Sequence, residues 1–388
     1  MIRRNSAAAA MTDLAQLITP VALLDRPRLQ RNIAAMQQRV DGLGVRLRPH
    51  VKTAKCVEVA RLQRAAGAAG ITVSTLKEAE FFFAAGFDDI LYAVGIAPNK
   101  FDAVLALRRR GCRLTVILDS MQAAEALLAK GRATGERFAV MIEIDSDGQR
   151  AGVKPDDDAL LAIGRALHEG GAQLAGVMTH CGASYGERDG KGLEGIAEQE
   201  RERCVGAAER LRAAGLPCPD VSVGSTPTAL AARALPGVTE VRAGVYAFHD
   251  LVMCNVGVAQ PEDVALSVLS SVIGHRSDQG WVIVDAGWMA MSRDRGTQAQ
   301  AVDWGYGAVC DVEGRLLDGW LMASANQEHG LLAHRDGAAG LDLVQQFPVG
   351  TLLRILPNHA CATAAQFDHY QVLGEDGGMQ RWGRCGGW

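Results

Sequence analysis

The segment Arg48–Cys56, RPHVKTAKC, contains the side chains best suited to covalent chemistry. A lysine amine forms a Schiff base with an aldehyde cofactor once burial or a neighbouring cation lowers its pKa. Lys52 has His50 and Lys55 close by in the sequence, and their charges would favour the neutral amine. The plainer interpretation is a solvated basic loop, so the motif needs support from other parts of the chain.

Polar and small residues recur where later apolar segments end. Arg150 follows one such segment, and His180 and Tyr185 follow the next. Two further segments are rich in glycine and hydroxyl residues, VSVGSTPT at Val221–Thr228 and VRAGVYAF at Val241–Phe248. Small residues with accessible backbone N–H groups form the usual phosphate cradle of a barrel. Each feature alone is also typical of an ordinary strand-to-helix turn, but together at one barrel face they indicate a shared site.

Eight short apolar segments rich in valine and isoleucine have the pattern of buried parallel strands. They are Val45–Lys52, Ile71–Ser74, Ile90–Ala93, Leu114–Asp119, Phe138–Asp145, Leu174–His180, Val221–Gly224 and Glu240–Tyr246. Amphipathic stretches separate them, as where Leu29, Ile33, Met36 and Val40 keep helical spacing after the start signal Asp25. This alternation predicts a closed TIM-like (β/α)8 barrel, whose active site lies at the carboxyl ends of the strands.

The helical period fades after about Pro261, and a second pattern begins. Turn residues separate the predicted strands Ala265–Ile273, Trp281–Ala286, Tyr306–Asp311, Thr351–Leu356 and Gln380–Trp382. We therefore predict an α/β protein with an N-terminal segment 1–20 that could pack with the β domain, a barrel at 21–257, and a smaller, mostly β domain at 258–388 that carries a metal site.

Composition narrows the class of protein. The chain has 388 residues, 48% of them hydrophobic, which suits two domains with large cores. A net charge of -4 and a pI near 6.2 argue against a nucleic acid or an anionic membrane as partner. No apolar run reaches the ~20 residues of a membrane span. Nine scattered cysteines and an N-terminus without a secretory apolar region predict a reduced, cytoplasmic protein.

Taken together, the motifs resemble those of the fold-type III pyridoxal 5′-phosphate (PLP) enzymes, the group of alanine racemase. Within that group the chain is similar to the D-threonine aldolase and D-serine dehydratase branch. The motifs run in family order from Thr19 to about Ala365 and read RPHVKTAKC, ITVSTLKEAE, EIDSDGQRAGV, THCGASY, VSVGSTPT, EVRAGVYAF, VDAGW, NQEHG and PNHAC. The resemblance implies that Lys52, which directly follows His-Val, binds PLP, with Lys55 as its rival.

The resemblance also implies a place for the other candidate residues around PLP. Arg150 would face the phenolic oxygen. Arg242 would reach the pyridine nitrogen and keep it unprotonated, which makes the ring a weaker electron sink. His180 and Tyr185 would line the ring and the reacting atoms. The phosphate would be held by Ser225, Thr226, Gly244, Val245 and Tyr246.

His359 and Cys361 in PNHACAT stand two residues apart, so in an extended segment both point to one side and can bind one ion. An isolated His-x-Cys pair is also a common coincidence, but the resemblance favours a divalent metal here. It implies Mn²⁺ first, with Zn²⁺, which a thiolate prefers, Mg²⁺ or Co²⁺ as alternatives. Asp285, Glu328 and His329 lie in neighbouring motifs, either as outer groups of the site or as ordinary polar loop residues.

The activity that the resemblance implies is retro-aldol cleavage of D-threonine and other D-β-hydroxy-amino acids to glycine and an aldehyde. His180 or a hydroxide on the metal would take the β-hydroxyl proton. The spellings ITVSTLKEAE, VSVGSTPTAL and PNHACATAAQ look closer to the aldolases. The main alternative is D-serine dehydratase-type β-elimination to a keto acid and ammonia. A metal-independent racemase and a non-catalytic PLP carrier are weaker alternatives, and the family implies a homodimer.

Overall fold

The computed structural model describes residues 14–187 and 190–388, so most of the predicted N-terminal segment 1–20 lies outside the described residues. The strands are β1 (Val21–Asp25), β2 (Arg46–Leu47), β3 (Ile71–Val73), β4 (Asp89–Gly95), β5 (Arg113–Leu118), β6 (Ala139–Ile144), β7 (Gln173–Thr179), β8 (Asp220–Val223), β9 (Glu240–Val241), β10 (Leu266–Arg276), β11 (Trp281–Val284), β12 (Gly307–Cys310), β13 (Leu316–Ala325), β14 (Gly330–His334), β15 (Leu352–Pro357), β16 (His369–Leu373) and β17 (Met379–Gly383). The α-helices are Arg26–Gly42, Val57–Ala65, Leu76–Ala84, Phe101–Arg109, Met121–Thr134, Ala159–Glu169, Gly190–Ala213, Thr226–Ala231, Leu251–Asn255, Trp288–Met291, Leu343–Gln346 and Ala360–Ala364. Single 3₁₀ turns lie at Pro98–Lys100, Gly182–Tyr185, Val245–Ala247 and Pro261–Asp263.

The strands β2–β9 form a parallel sheet in the order β2-β9-β8-β7-β6-β5-β4-β3. Backbone hydrogen bonds join the two ends of this order. Val51 N donates to Thr72 O over 2.9 Å, and Thr72 N donates to Pro49 O over 2.8 Å. The sheet is therefore closed, which confirms the predicted barrel. Its parallel strands bring their carboxyl ends, and the candidate residues that follow them, to the same rim.

All eight predicted barrel strands are present, but β2 and β9 end early. They stop at Leu47 and Val241, where the sequence predicts strands as far as Lys52 and Tyr246. The backbone of residues 48–51 bonds first towards the β9 side and then towards the β3 side. This segment therefore closes the barrel between the two neighbouring strands, and it does not continue a regular hydrogen-bond pattern with either of them.

Contacts divide the chain into two compact units. The barrel unit comprises Ala34–Gly244 and Gly387–Trp388, and the β unit comprises the described residues up to Ile33 together with Val245–Gly386. The boundaries thus lie at 33/34 and 244/245, where the sequence predicts 20/21 and 257/258. The difference at the first boundary arises from β1, which pairs with β10 and β16 and so belongs to the β unit.

The helix Arg26–Gly42 follows β1 and shows the start signal expected from the sequence. Asp25 Oδ1 accepts a hydrogen bond from Arg28 N over 3.0 Å and so satisfies a donor that the helix itself leaves unpaired. The apolar residues at helical spacing, Leu29, Ile33, Met36 and Val40, are all buried. In the described part of the chain, no helix has both the length and the hydropathy that crossing a membrane requires.

The β unit contains a nine-stranded sheet in the order β11-β14-β13-β12-β15-β10-β1-β16-β17, in which β10 also pairs with β11. The strands from β10 through β11, β14, β13 and β12 to β15 therefore form a closed ring, and β1, β16 and β17 extend from it. Apolar side chains pack together in this unit, among them Val268, Val284, Trp320, Met322 and Ile355. The predicted β domain is confirmed, but β1, β13, β14 and β16 are absent from the sequence prediction.

Candidate active site

The turn after β2 places Lys52 at the barrel rim. Val51, Thr53 and Ala54 are buried, whereas Lys52 between them is exposed. The backbone N–H of Lys52 donates to His50 Nδ1 over 3.4 Å, so the turn is tied to the imidazole beside it. The barrel therefore presents one primary amine outward on a backbone that is otherwise packed into the wall.

The neighbouring Lys55 has a different role in the structure. Its Nζ lies 3.0 Å from Glu78 Oε1, and the Glu78 side chain is fully buried. Lys55 also has a positive φ of 47°. Because the Lys55 amine forms an ion pair with the Glu78 carboxylate, the structure favours Lys52 as the amine that is available to an aldehyde.

His180 lies at the end of β7 with a defined tautomer. Its Nδ1 is 3.2 Å from Gly224 O, and a carbonyl oxygen only accepts, so Nδ1 carries the proton. Burial, reinforced by the charge of Lys52, lowers the pKa of His180 to about 3. The ring is therefore neutral near pH 7 and presents the lone pair of Nε2. The Tyr185 ring lies beside it, with 6.0 Å between the ring centroids.

His50 is a site residue that the sequence identified only as a neighbour of the reactive lysine. Burial, together with the charges of Lys52 and Arg242, holds the pKa of His50 well below its usual value. His180 responds to Lys52, Arg242 and Arg150 in the same way. The charges that add to burial come from Lys52, Arg150 and Arg242, so side chains from four different strand ends lie within electrostatic range of the two imidazoles.

Arg242 is buried in the barrel wall beneath this neighbourhood. Its Nη1 donates to Ser222 Oγ over 2.6 Å, and its Nη2 donates to the Thr179 carbonyl. Ser222 Oγ in turn donates to Glu240 Oε1 over 2.6 Å. Burial lowers the pKa of Arg242, and the carboxylate of Glu240 opposes that effect. The guanidinium is thus held at a fixed position, and its predicted contact with a pyridine nitrogen stays a prediction.

Arg150 stands on the loop after β6 and is exposed. Asp145 Oδ1 accepts hydrogen bonds from the N–H groups of Asp147 and Gly148 over 3.1 and 2.6 Å, which folds the loop. Arg150 Nη2 lies 3.3 Å from Glu143 Oε1. Burial raises the pKa of Glu143, and the nearby guanidinium opposes that effect. The arginine therefore keeps an exposed face that is available to a phenolic oxygen.

The predicted phosphate residues fall on both sides of the unit boundary. Ser225 is buried and caps the helix Thr226–Ala231, and its Oγ lies 3.0 Å from Ser184 Oγ and 3.1 Å from Thr228 Oγ1. A side chain at Gly244 would come within 2.9 Å of His50 O, so glycine is required there. Also buried are Thr226 in the barrel unit, and Val245 and Tyr246 in the β unit. Their roles as phosphate ligands stay predictions.

Replacement of Gly224 by alanine is expected to damage the site, because the residue has a φ of +122° and a Cβ would lie 2.7 Å from Arg242 O. We expect the free energy of unfolding to fall by about 2–4 kcal/mol, measured by urea denaturation. Gly215→Ala is the matched control, since Gly215 also has a positive φ but open space around it. An equal loss in both variants would contradict the crowding argument.

The β unit carries the predicted metal pair at the end of β15. His359 is extended and precedes the helix Ala360–Ala364, so Cys361 lies in the first helical turn. The sequence prediction of a fully extended segment is wrong, but the two side chains still interact. Burial lowers the pKa of His359, whereas hydrogen bonds with Asp294 and Cys361 outweigh burial and raise it to about 11.

The donor chemistry of this pair fits a divalent ion with open coordination positions. Imidazole and thiolate are ligands of Zn²⁺ and related ions, and catalytic sites leave positions for water or substrate. His359 Nδ1 bonds to Asp294 Oδ2 over 2.8 Å, which leaves Nε2 as the nitrogen for an ion. Within residues 14–187 and 190–388, no group of three or more His, Cys, Asp or Glu side chains is arranged to hold a metal. Two protein ligands would therefore need water or substrate to complete the shell.

The three other candidates near these motifs have ordinary structural positions. Asp285 accepts hydrogen bonds from Thr19 Oγ1, Ser270 Oγ and Ser271 N over 2.5, 2.8 and 2.9 Å, which explains the carboxylate without a ligand. Glu328 and His329 are exposed in the turn between β13 and β14. Asp294, which the sequence prediction missed, is the carboxylate that contacts His359, and no spacing rule connects residues so far apart.

Two family models match the chain. The model of the alanine racemase N-terminal domain matches residues 24–251, and the model of the putative serine dehydratase domain matches residues 265–373. D-threo-3-hydroxyaspartate dehydratase of Delftia sp. (strain HT23) is 65% identical over 97% of this chain and 99% of its own. D-serine dehydratase of Dictyostelium discoideum is 29% identical over 94% and 95%, and D-threonine aldolase of Arthrobacter sp. is 29% identical over 93% and 90%.

Solved structures give the same picture. The structure of D-threo-3-hydroxyaspartate dehydratase from Delftia sp. HT23 matches with a TM-score of 0.96 at 65% identity and covers 97% of this chain and 99% of its own. Two variants of a protein of that name match with TM-scores of 0.96, at 64% and 63% identity. They cover 97% and 99% of this chain, and 99% and 100% of their own. One has a cysteine replaced by alanine and is in the metal-free form, and the other has a histidine replaced by alanine two positions earlier.

Proposed function

The chain belongs to the fold-type III PLP enzymes, in their D-serine dehydratase and D-threonine aldolase group, and on that premise we propose that it is a PLP- and metal-dependent dehydratase of D-threo-3-hydroxyaspartate. The reaction would be β-elimination, which yields oxaloacetate and ammonia. Water is lost across Cα and Cβ and is taken up again when the resulting imine is hydrolysed.

One observation carries the choice of reaction. Over nearly its whole length the chain is 65% identical to a dehydratase, whereas the aldolase of Arthrobacter sp. is 29% identical. This supports the β-elimination alternative better than the retro-aldol reaction that the motif spellings favoured. Both reactions would use the same amine, phosphate cradle and metal, so these motifs do not separate them.

The barrel rim fits PLP by the chemistry of its side chains. An exposed amine, Lys52, lies near the cations Arg150 and Arg242 and the neutral rings of His50 and His180. PLP is complementary to such a rim, because its aldehyde can react with the amine and its phosphate and phenolic oxygen are attracted to the positive charges. When bound, PLP would supply the electron sink that stabilises negative charge at the substrate Cα.

For removal of the proton from the substrate Cα, we compare Lys52 Nζ and His180 Nε2. With a pKa of about 3, His180 is a weak base near pH 7. We therefore assign proton removal to Lys52 Nζ. His180, through its Nδ1–H bond to Gly224 O, would accept a hydrogen bond at Nε2 and orient the bound molecules.

His359 and Cys361 would hold a divalent ion through Nε2 and Sγ. The ion would act as a Lewis acid on the β-hydroxyl oxygen and so make it a better leaving group. In the similar dehydratase, the variant in the metal-free form lacks one cysteine, and a second variant lacks the histidine two positions before it. His359 and Cys361 have the same spacing in this chain. Mn²⁺ remains the first candidate, with Zn²⁺, Co²⁺ and Mg²⁺ as alternatives.

Product analysis tests the proposal directly. With D-threo-3-hydroxyaspartate we expect oxaloacetate and ammonia, each detected by a coupled dehydrogenase assay. Retro-aldol cleavage of the same molecule would instead release glycine and glyoxylate. With D-threonine the corresponding pairs are 2-oxobutyrate with ammonia and acetaldehyde with glycine. Dominance of glycine in either assay would contradict the dehydratase and restore the aldolase.

The remaining expectations are proposals with simple tests. Inversion at Cα without net reaction, measured by chiral chromatography, would instead indicate a racemase. Absence of turnover by a PLP-loaded protein would indicate a carrier. We also propose a homodimer, as in the family, and light scattering of the purified protein gives its mass directly.

A further inference from the structure

The hydrogen bond between His359 and Asp294 joins residues that are far apart in the sequence. His359 Nδ1 and Asp294 Oδ2 are 2.8 Å apart. An ionised carboxylate only accepts, so the proton of this bond belongs to Nδ1. The bond thus determines which ring nitrogen faces Asp294 and which one is left for another partner.

The loop that carries Asp294 is anchored to the same segment at a second point. Asn358, which directly precedes His359, is buried and donates through Nδ2 to Asp294 O over 3.2 Å and to Gly305 O over 2.7 Å. Its Oδ1 accepts from Thr297 Oγ1 over 3.1 Å. The backbone and the side chain of Asp294 are therefore tied to two consecutive residues, Asn358 and His359.

The backbone on the other side of Asp294 is also constrained. Asp294 N donates to Ser292 Oγ over 3.2 Å, and the buried Ser292 has a φ of +73°, where a residue other than glycine is strained. Thr363 Oγ1 donates to Met291 O over 2.7 Å, which ties the start of this loop to the helix that contains Cys361. The loop therefore runs alongside the His359–Cys361 segment and is held to it at both ends.

We propose that Asp294 is a positioning residue that holds the His359 ring with Nδ1–H towards its own carboxylate and Nε2 towards a divalent ion. The inference rests on the proposed function to the extent that His359 and Cys361 bind that ion. A carboxylate on the far nitrogen of a metal-binding histidine fixes the ring and increases its basicity. Loss of such a partner typically weakens metal binding by about 10–100-fold.

Metal affinity of the PLP-loaded enzyme, measured without substrate, tests this role. We expect Asp294→Ala to raise the dissociation constant for Zn²⁺ by about 10–100-fold in a competition titration with a chromophoric chelator. Asp294→Asn keeps an oxygen that accepts from Nδ1 but removes the charge, so a smaller rise is expected. If Asp294→Ala does not fold, Asp294→Asn carries the test. The PLP absorbance band should be unchanged in both.

Asp303→Asn is the matched control, because it removes a carboxylate from the same loop without touching His359. Asp303 Oδ2 lies 3.0 Å from Arg295 Nη2, and Asp303 Oδ1 accepts from Gly305 N over 2.8 Å. Its loss should lower thermal stability and leave the Zn²⁺ affinity within about twofold of the original. Equal weakening of metal binding in the control and in Asp294→Ala would reduce Asp294 to a structural residue.

Direct ligand variants separate this inference from the proposed function. If neither His359→Ala nor Cys361→Ala weakens Zn²⁺ binding, the metal site of the proposed function fails. If both weaken it while Asp294→Ala binds Zn²⁺ as tightly as the unaltered enzyme, only the role of Asp294 is refuted. Substitution with Co²⁺ adds a spectroscopic check, since its visible spectrum should change when the imidazole is misoriented in Asp294→Ala.

Discussion

Lys52→Ala is expected to abolish the absorbance band of covalently bound PLP and to reduce turnover by on the order of a thousandfold or more. The physical reason is that alanine removes the amine to which we assign both the covalent bond to PLP and the removal of the substrate Cα proton. The band is measured on the purified protein after incubation with PLP and dialysis. Circular dichroism of the variant checks that the fold is retained, as we expect at an exposed position.

Lys55→Met is the control for this experiment, and it should behave in the opposite way. It leaves the fully buried Glu78 without its cation. Removal of one partner from a buried pair costs about 3–5 kcal/mol of the free energy of unfolding. The folded fraction should nevertheless keep the PLP band. Survival of the band in Lys52→Ala and its loss in the Lys55 variant would show that the reactive lysine is misassigned.

Removal of the divalent ion, or replacement of His359 or Cys361 by alanine, is expected to reduce turnover of the hydroxy-amino acid by on the order of 10²–10⁴-fold. Lewis-acid assistance at a leaving oxygen contributes several kcal/mol, and each 1.36 kcal/mol corresponds to tenfold in rate. The PLP band should persist, because neither His359 nor Cys361 is among the residues that we assign to PLP binding. The measurement is turnover after exhaustive chelation and after return of Mn²⁺, Zn²⁺, Co²⁺ or Mg²⁺.

Cys254→Ala provides the matched control for the thiolate. Among the nine cysteines of the chain, Cys254 and Cys361 are the two that are only partly buried, and both lie in the β unit. Burial raises the pKa of the Cys254 thiol above its usual range, so it is a poor ligand. Its replacement should leave metal content and turnover unchanged. Full activity in a preparation that is free of metal by elemental analysis would refute the metal requirement.

The choice between dehydration and cleavage lies beyond both motif and fold. Both reactions start from the same amine, the same cofactor and the same metal, and they differ in which bond at the substrate Cα stands perpendicular to the cofactor ring. The contacts that set this angle involve the substrate carboxylate and side chain. The motifs do not report these contacts. Their spelling pointed to the aldolase, whereas the 65% identity to a named dehydratase supports elimination.

The sequence by itself determined the barrel, because local periodicity encodes it. Each predicted barrel strand is a short apolar run, and stretches between them, such as the one with Leu29, Ile33, Met36 and Val40, show the 3.6-residue pattern of a helix. The motif RPHVKTAKC likewise marked a candidate reactive region, since a basic cluster at the end of an apolar segment is visible in the sequence alone.

Only the tertiary structure decided the features that depend on distant pairing. β1 joins the β unit because Val21 pairs with Leu269, and no local pattern predicts a partner at that separation. Lys52 is distinguished from Lys55 by the buried Glu78 carboxylate that pairs with Lys55. Asp294 reaches His359 only because two loops of the β unit are held together by buried hydrogen bonds. The spacing of residues along a chain encodes local geometry, but it carries no information on which distant carboxylate will satisfy a given cation or imidazole.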